Sequence, residues 1–464
     1  MKPVLLVDVV GLTPRWIGDR TPHLAALARA GASAPMSTVL PAVTCSAQAT
    51  MLTGKSPSAH GAVGNGWFAR DTGDIALWRQ SNALVAGEKL YETARRLDPS
   101  FTCAKIFWWW NLGAAVDWSV TPRPFYPADG RKIPAIYGAP SDYASELERE
   151  LGRFPFFDFW GPKSGIRSSR WLADAAIHTL AKQKPSLTMV YLPHLDYDFQ
   201  RFGPEDARCA RAVEQVDVLV GDLRQAANAH GAEIVIVSEY GITAVERPVH
   251  VNLALRSAGL LTARPTPAGD VLDVFASQAF AVADHQVAHV YCKDARALER
   301  ALQVLKGLPG VDHIYGRAAL AGIGLDHARS GDLVLVAERD AWFTYYYWNG
   351  EAAEPDFART VDIHRKPGYD PCELFVDPAI PVPHFRIAQR LLQKQLGFRY
   401  LMDVIPLNAS LVRGSHGRLP DDPRDGPIFM SSRSFADSGG EPANGLVDMH
   451  SVPARVLALL ARAR

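Results

Sequence analysis

Short, almost wholly apolar runs alternate along this chain with longer stretches whose apolar residues recur every three or four positions. The short runs predict strands buried on both faces, at residues 4–8, 33–40, 101–108, 186–192 and 233–237. The periodic stretches predict helices, at residues 22–32, 46–52, 88–97, 171–184, 209–230, 295–305 and 452–463. Strands that alternate with helices predict an α/β fold, a three-layer αβα sandwich around a mostly parallel central sheet.

The pattern becomes less regular in the second half of the chain, which predicts a second unit. Residues 251–359 read as a smaller α+β insertion or cap, and residues 1–250 and 360–464 as the core. The segment 120–165 is rich in proline, glycine and aromatic residues and too apolar to lie free in solvent. We therefore expect it to form a lid-like excursion over a substrate pocket.

Composition narrows the classes of function. The chain has 464 residues, 48% of them hydrophobic, with 49 basic and 49 acidic side chains. Zero net charge gives no reason to expect a nucleic acid polymer or an anionic membrane as partner, and no apolar run reaches the length of a membrane helix. The five scattered cysteines and the lack of a signal-peptide pattern predict a cytoplasmic protein with free thiols. The oligomeric state, monomer or homodimer, stays open.

Polar side chains follow several predicted strands, and those strand ends converge in a parallel sheet. Asp8 ends the first, Asp196 and Gln200 follow the strand at 186–192, and Glu239 and Tyr240 follow EIVIV. A late loop adds His416. Carboxylates and imidazole converging from separate strands are typical of a divalent metal site.

Thr44 places a hydroxyl group at the start of a predicted helix. Thr44 precedes residues 46–52, and the amino end of a helix favours an anion such as phosphate. The segment PAVTCSAQATMLTGKSPSAHGAVGN, with its TG, PxxHG and GN groups in order, resembles the nucleophile segment of the type I phosphodiesterase/nucleotide pyrophosphatase family, part of the alkaline phosphatase superfamily. Cys45 beside Thr44 is a second candidate nucleophile, but the resemblance favours Thr44.

The resemblance implies an alkaline phosphatase-like fold, a threonine nucleophile at Thr44 and two metal ions. Asp8 and Thr44 match ligands of one ion, and Asp196 and His416 match ligands of the other. Two imidazoles of the family pattern are missing, because Gln200 replaces one histidine and Glu239–Tyr240 replace an Asp-His pair. Oxygen ligands suit Mg²⁺ or Mn²⁺ better than Zn²⁺.

We therefore predict one or two divalent ions, Zn²⁺ or, given the oxygen-rich substitutions, Mn²⁺, Mg²⁺ or Fe²⁺. The predicted metal ligands are Asp8, Thr44, Asp196, Glu239 and His416, with His364 of the loop DIHRKPGYDP as a candidate replacement imidazole. The predicted substrate-binding residues are Gln48, Trp109, Asn111, Gln200 and Tyr240, with Gln48 as a stand-in for an asparagine that the family often has. Four other histidines are expected to be structural: His60, His250, His285 and His289.

Three hypotheses of function follow. The first is a metal-dependent hydrolase of small phosphate esters with Thr44 as nucleophile. The second keeps the scaffold and changes the reaction, to a phosphono- or sulfo-ester hydrolase or a metal-dependent isomerase in secondary metabolism. The third is a binding protein descended from such enzymes that has lost catalysis.

Overall fold

The computed structural model describes residues 1–128, 132–398 and 400–462. The strands in this part of the chain are β1 (Val4–Val9), β2 (Ala32–Pro35), β3 (Gly66–Ala69), β4 (Asp74–Leu77), β5 (Cys103–Ile106), β6 (Trp118–Pro122), β7 (Ile136–Ala139), β8 (Leu187–Leu192), β9 (Glu233–Val237), β10 (Thr243–Ala244), β11 (Arg247–Val249), β12 (Ala263–Thr266), β13 (Gly269–Leu272), β14 (Ala279–Asp284), β15 (Val287–Cys292), β16 (Val311–Gly316), β17 (Leu333–Ala337), β18 (Ala341–Phe343), β19 (Gly414–Ser415) and β20 (Ile428–Ser431).

Helices connect most of these strands. They are α1 (Pro22–Ala30), α2 (Thr44–Thr53), α3 (Pro57–His60), α4 (Leu90–Leu97), α5 (Tyr143–Leu151), α6 (Ile166–Lys182), α7 (His194–Phe202), α8 (Ala207–Ala229), α9 (Val251–Ser257), α10 (Ala295–Lys306), α11 (Arg317–Leu320), α12 (Pro383–Gln395) and α13 (Val452–Leu460). None of the helices described is both long and apolar enough to cross a membrane.

The central sheet has eight strands in the order β2-β20-β9-β1-β8-β5-β6-β7. The five inner strands run parallel, with β1 paired to β8 on one side and to β9 on the other. The strands at the two edges run antiparallel. The parallel register brings the carboxyl ends of β1, β8 and β9 together at one edge of the sheet.

Each face of this sheet buries its own hydrophobic core. On β1, Leu5 and Val7 point to one face and pack with apolar side chains of α1, α6 and α8. Val4 and Leu6 point to the other face and pack with side chains of α2, α4 and α13. Successive side chains of a strand alternate between faces, so a wholly apolar strand requires a cover on both. The predicted three-layer αβα sandwich is confirmed.

A second sheet lies in the region predicted as an α+β insertion. Its four strands are antiparallel in the order β14-β15-β17-β16. They share a third hydrophobic core with side chains of α9 and α10. The turn between β14 and β15 reaches back to the main domain, because the Gln286 N–H donates to the His416 carbonyl oxygen (2.8 Å).

Several predicted elements differ from the observed ones. The strand predicted at 101–108 ends at Ile106, because Phe107 and Trp110 have positive φ and turn the chain. Within the predicted excursion 120–165, strand β7 pairs with β6 and extends the central sheet, so only part of that segment lies outside the core. Residues 129–131 of the excursion and Ala463 of the last predicted helix fall outside the described residues.

Candidate active site

Seven of the predicted site residues meet at the carboxyl ends of the parallel strands. Asp8 lies near the end of β1, and Asp196 and Gln200 lie on α7, which follows β8 directly. Glu239 and Tyr240 follow β9, and His416 follows β19. Thr44 is the first residue of α2. All seven side chains are buried, so their hydrogen bonds form in a medium of low polarity.

Thr44 and Glu239 form a hydroxyl–carboxylate pair. The Thr44 hydroxyl donates to Oε2 of Glu239 over 2.9 Å, and its oxygen lies 3.3 Å from the Tyr240 hydroxyl. A nucleophile requires an adjacent group that can take its proton. Glu239 occupies that position relative to Thr44.

The Gln48 amide links the carboxylates of this group. Its Nε2 donates to Oδ2 of Asp8 (3.1 Å) and to Oε1 of Glu239 (2.6 Å). Its Oε1 accepts the backbone N–H of Trp109 (2.6 Å). Gln48 thereby orients both carboxylates and ties the tryptophan segment to the site.

Asp196 and Gln200 form a second group on one face of α7. The spacing of four residues on a helix brings the two side chains together, and Gln200 Nε2 donates to Oδ2 of Asp196 (2.7 Å). The Tyr240 hydroxyl donates to Oδ1 of Asp196 (3.3 Å), and the Tyr369 hydroxyl donates to Oε1 of Gln200 (2.9 Å). Both oxygens of Asp196 therefore already accept hydrogen bonds.

His416 borders this second group with a fixed ring orientation. Its Nδ1 lies 2.8 Å from the Ala42 carbonyl oxygen, which makes that nitrogen the donor and leaves the lone pair on Nε2. Nε2 lies 3.8 Å from Oδ1 of Asp196. The ring stacks on Tyr240 with centroids 3.6 Å apart. A backbone carbonyl that fixes the tautomer is typical of metal-binding histidines.

Burial changes the acid–base properties of the site. Burial, with the neighbouring Glu239 carboxylate, raises the pKa of Asp8 well above its ordinary value. Burial also raises the pKa of Glu239 to about 7 and that of Asp196 to about 7. It lowers the pKa of His416 to about 3. An imidazole that stays neutral can act as a metal ligand or hydrogen-bond acceptor.

The donor atoms fit one hard divalent ion better than two. Oδ1 of Asp8 is buried and has no hydrogen-bond partner, and it lies in the same group as the Glu239 carboxylate and the Thr44 hydroxyl. Oxygen donors of this kind suit Mg²⁺ or Mn²⁺. The group around Asp196 offers no comparable free oxygen. No cluster of three or more His, Cys, Asp or Glu side chains in metal-binding geometry occurs among the residues described.

Two predicted residues lie apart from these groups. His364 is exposed on its loop and lines a surface cavity of about 300 Å³ with Phe275 and Arg365. Asn111 uses its amide nitrogen for the carbonyl oxygens of Lys105 (3.2 Å) and Val120 (2.9 Å). Asn111 thus closes the loop between β5 and β6, and His364 lies beside the surface cavity rather than among the hydrogen-bonded groups of the site.

Two side chains at the site, His285 and Tyr369, were not among the predicted site residues. His285, expected to be structural, stacks on His416 and on Tyr369 with ring centroids 3.6 and 3.7 Å apart. Both reach the site from outside the strand-end motifs; the DH pair in ADHQ was the signal for His285, and the loop DIHRKPGYDP was the signal for Tyr369. Cys45 is buried, and burial raises the pKa of its thiol well above the ordinary value. A protonated thiol is a poor nucleophile, in line with the lower rank given to Cys45.

The amino-acid sequence is similar to that of known phosphodiesterases. A model of the type I phosphodiesterase/nucleotide pyrophosphatase family matches residues 4–370. An uncharacterized pyrophosphatase/phosphodiesterase of Schizosaccharomyces pombe is 23% identical over 227 residues, which are 48% of this chain and 41% of that relative. The match thus spans less than half the length of the curated relative.

Solved structures with the same fold cover nearly the whole chain. Phosphonoacetate hydrolase of Sinorhizobium meliloti superposes with a TM-score of 0.61 at 15% identity, over 99% of this chain and 96% of that one. Murine ectonucleotide pyrophosphatase/phosphodiesterase 5 superposes with a TM-score of 0.58 at 14% identity, over 100% and 96%. At these identities the likeness establishes the fold, which is that of alkaline phosphatase-like enzymes.

Proposed function

Because the chain belongs to the type I phosphodiesterase/nucleotide pyrophosphatase family, we propose that it hydrolyses small phosphate esters with Thr44 as the nucleophile. The observation that carries the proposal is the hydrogen bond from the Thr44 hydroxyl to Glu239 (2.9 Å) at the first residue of helix α2. A hydroxyl with an adjacent carboxylate and a helix amino end can attack an anionic phosphoryl group.

We further propose one divalent ion, held by Asp8, Glu239 and Thr44, as family members are typically dependent on divalent metals. The unpartnered Oδ1 of Asp8 supports this assignment. When bound, such an ion would act as a Lewis acid that neutralises phosphoryl oxygens and lowers the pKa of a hydroxyl. Asp196, Gln200, Tyr240 and Tyr369 would then serve as a hydrogen-bonding group rather than as a second ion site.

The chain's own residues divide the reaction into two displacements. The Thr44 hydroxyl gives its proton to Glu239 while its oxygen forms a bond to phosphorus; the bond from phosphorus to the leaving oxygen breaks, that oxygen takes a proton from solvent, and Glu239 returns its proton to solvent. The amino end of α2 favours the negative charge of the phosphoryl group. Water then attacks the Thr44 phosphoester and gives a proton to Glu239, the bond from phosphorus to the Thr44 oxygen breaks, that oxygen takes the proton from Glu239, and phosphate or a phosphomonoester leaves.

The organic group of the ester would lie against aromatic rings. Trp78 contacts Trp109 and Tyr369, with ring centroids 5.4 and 6.1 Å apart. Trp160 of the predicted excursion contacts Tyr369 at 5.7 Å. Aromatic side chains bury large apolar areas, so we propose esters with an aromatic or apolar organic group as the substrate class.

The test combines metal content with turnover of bis-p-nitrophenyl phosphate. We expect about one equivalent of metal in the wild type, its loss in Asp8→Asn, and its retention in the matched variant Asp196→Asn. Thr44→Ala should lower turnover by roughly a thousandfold or more in folded protein. Undiminished turnover in Thr44→Ala would refute the nucleophile. Equal loss of metal in both aspartate variants would refute the single-ion assignment.

A further inference from the structure

Helix α12 exposes an apolar face to solvent and is unlike the other helices of the chain in this respect. None of its residues is buried. Seven large apolar side chains in and beside it are exposed: Val382, Phe385, Leu391, Leu392, Leu396, Phe398 and Leu401. An apolar patch that a soluble protein keeps on its surface usually marks an interaction site.

The exposed apolar side chains form a stripe. Phe385, Leu392 and Leu396 are spaced by seven and four residues, which places them on one side of the helix or its direct continuation. Phe385 is 70% exposed and Leu396 is 63% exposed. This stripe therefore points away from the body of the protein.

The opposite side of α12 is basic, and two of its arginines pair with Asp403 in the chain segment that follows the helix. Arg390 donates to both oxygens of Asp403 (2.8 Å each), and Arg386 donates to the same carboxylate. Lys394 is exposed at the flank, with its ammonium group 5.8 Å from the centre of the Tyr400 ring. Residues 378–403 contain four Lys or Arg side chains and one acidic residue, Asp403. The segment is thus locally cationic although the whole chain has zero net charge.

We propose that α12 binds the surface of a bilayer that contains anionic lipids. A helix with phenylalanine and leucine on one face and arginine and lysine on the other is the type that lies in the membrane interface with its apolar face in the acyl boundary. The cations of the segment match the negative headgroups, and each basic residue near such a surface adds to the attraction.

A second copy of the chain fits this face less well. A 13-residue helix presents a face of roughly 20 Å by 10 Å. That footprint is far below the area of about 800 Å² per partner in a stable interface. Two copies of a segment with net positive charge would also bring like charges together. These arguments do not involve the site around Thr44, so the lipid contact and the proposed function can fail independently.

The experiment measures sedimentation of the full chain with two kinds of vesicle, pure phosphatidylcholine and equal parts of phosphatidylcholine and phosphatidylserine. We expect the wild type to bind the mixed vesicles more strongly, and added salt to weaken that binding. Leu396→Asp should lower the partition coefficient about tenfold or more, because a carboxylate replaces a leucine that enters the lipid. Lys394→Glu should weaken binding to the mixed vesicles only.

Leu97→Asp is the matched control, because Leu97 is 62% exposed and lies on another helix, α4. It should bind as the wild type does, and all three variants should keep wild-type turnover of a soluble ester. The proposal is overturned by three results: no sedimentation with either vesicle, equal loss in Leu97→Asp, or a wild-type dimer in light scattering that Leu396→Asp converts to monomer. The last result would assign the face to a second copy.

Discussion

Gln48 donates hydrogen bonds to two neighbouring carboxylates, those of Asp8 and Glu239. Asp8 and Glu239 are buried side by side, and two carboxylates so placed repel when both are ionised. The Nε2 of Gln48 donates one hydrogen to each of them, and its Oε1 is fixed by the Trp109 N–H. Only one rotamer of Gln48 lets its amide orient both carboxylates. Even a conservative substitution at this position should therefore disturb them.

Gln48→Glu should destabilise the metal-free protein. The substitution removes both donors and adds a third buried carboxylate, which we expect to lower the free energy of unfolding by about 2 kcal/mol. Urea unfolding in the presence of a chelator measures this. Added Mn²⁺ should restore more stability to this variant than to the wild type, since the new carboxylate is a ligand for a hard cation.

Gln48→Met is the control for that prediction. It loses the same two donors without adding a charge, so it should be destabilised and show no extra response to Mn²⁺. Equal stability of wild type and Gln48→Glu under chelation would show that the amide does not hold the two carboxylates.

At this scale the sequence predicted much of the site and missed part of it. Asp8 and Glu239 could be predicted because the end of a parallel strand fixes the position of the residue that follows it. His285 could not, because its position depends on the packing of a second sheet against the first. The bond between Gln200 and Asp196 became clear only once α7 proved helical, as an extended chain would separate them.

At the scale of elements, α1 receives its cap from a distant helix. Thr21, before the first turn, makes no side-chain hydrogen bond to the turn. The Asp217 carboxylate of α8 accepts the N–H groups of Leu24 (2.8 Å) and His23 (3.1 Å) instead. Such a partner, 193 residues away along the chain, satisfies donors that an isolated helix end leaves free.

Asp217→Ala should lower the free energy of unfolding by about 1–2 kcal/mol, the usual loss for a helix cap. Thermal or urea unfolding measures the change. Asp217→Asn keeps one acceptor and should lose less than Asp217→Ala. A larger loss in the asparagine variant would mean that the charge, rather than the accepted hydrogen bonds, stabilises α1.

The loop after residue 361 is anchored by a buried ion triad. Lys366 contacts Asp370 (2.7 Å) and Glu373 (2.8 Å), and all three side chains are almost fully buried. Burial alone would lower the pKa of Lys366, but the two carboxylates more than offset this and raise it. Glu373 also accepts the Trp160 ring N–H, so the triad fixes the excursion against this loop.

Lys366→Met should cost about 3–5 kcal/mol of stability, because it leaves two carboxylates buried without their cation. Arg247→Met is the matched control, since Arg247 pairs with Glu338 and Asp340 at the surface. That variant should lose less than about 1 kcal/mol. Similar losses in the two variants, measured by urea unfolding, would contradict the role given to the triad.

Helix ends and additions at sheet edges were the least predictable elements. A serine directly before a helix is a usual N-cap, yet the hydroxyl of Ser451, which precedes the last helix, donates to the Asp448 carbonyl (2.6 Å) and makes no cap bond. The aromatic content of 120–165 concealed β7, whose place at the sheet edge depends on pairing with β6. By contrast, EIVIV, residues 233–237, is strand β9 with the predicted bounds, because the four residues after Glu233 are apolar and all five are buried.

At the scale of the whole molecule, the site joins the core to the inserted sheet. The backbone N–H of Asn65, after α3, donates to Asp284 at the end of β14 (2.8 Å). The Ala42 N–H, just before α2, donates to the Gly417 carbonyl oxygen (2.8 Å). Asn65 Oδ1 also accepts the N–H of Cys45, next to Thr44 (3.0 Å). Groups from the first, middle and last parts of the chain are thus linked to the start of α2, so a ligand at the site should stabilise the molecule as a whole.

Removal of divalent ions should therefore lower the midpoint of thermal unfolding for the entire chain rather than for one region. An ion that binds only the folded state at a hundred times its Kd adds about 2.7 kcal/mol. We expect the thermal midpoint of chelated protein to rise on addition of Mn²⁺, with one transition seen by both tryptophan fluorescence and circular dichroism. Asp8→Asn should show no such rise, while Asp196→Asn should respond as the wild type does. A rise that persists in Asp8→Asn would mean that the stabilising ion binds elsewhere on the molecule, because the proposed site requires the Asp8 carboxylate.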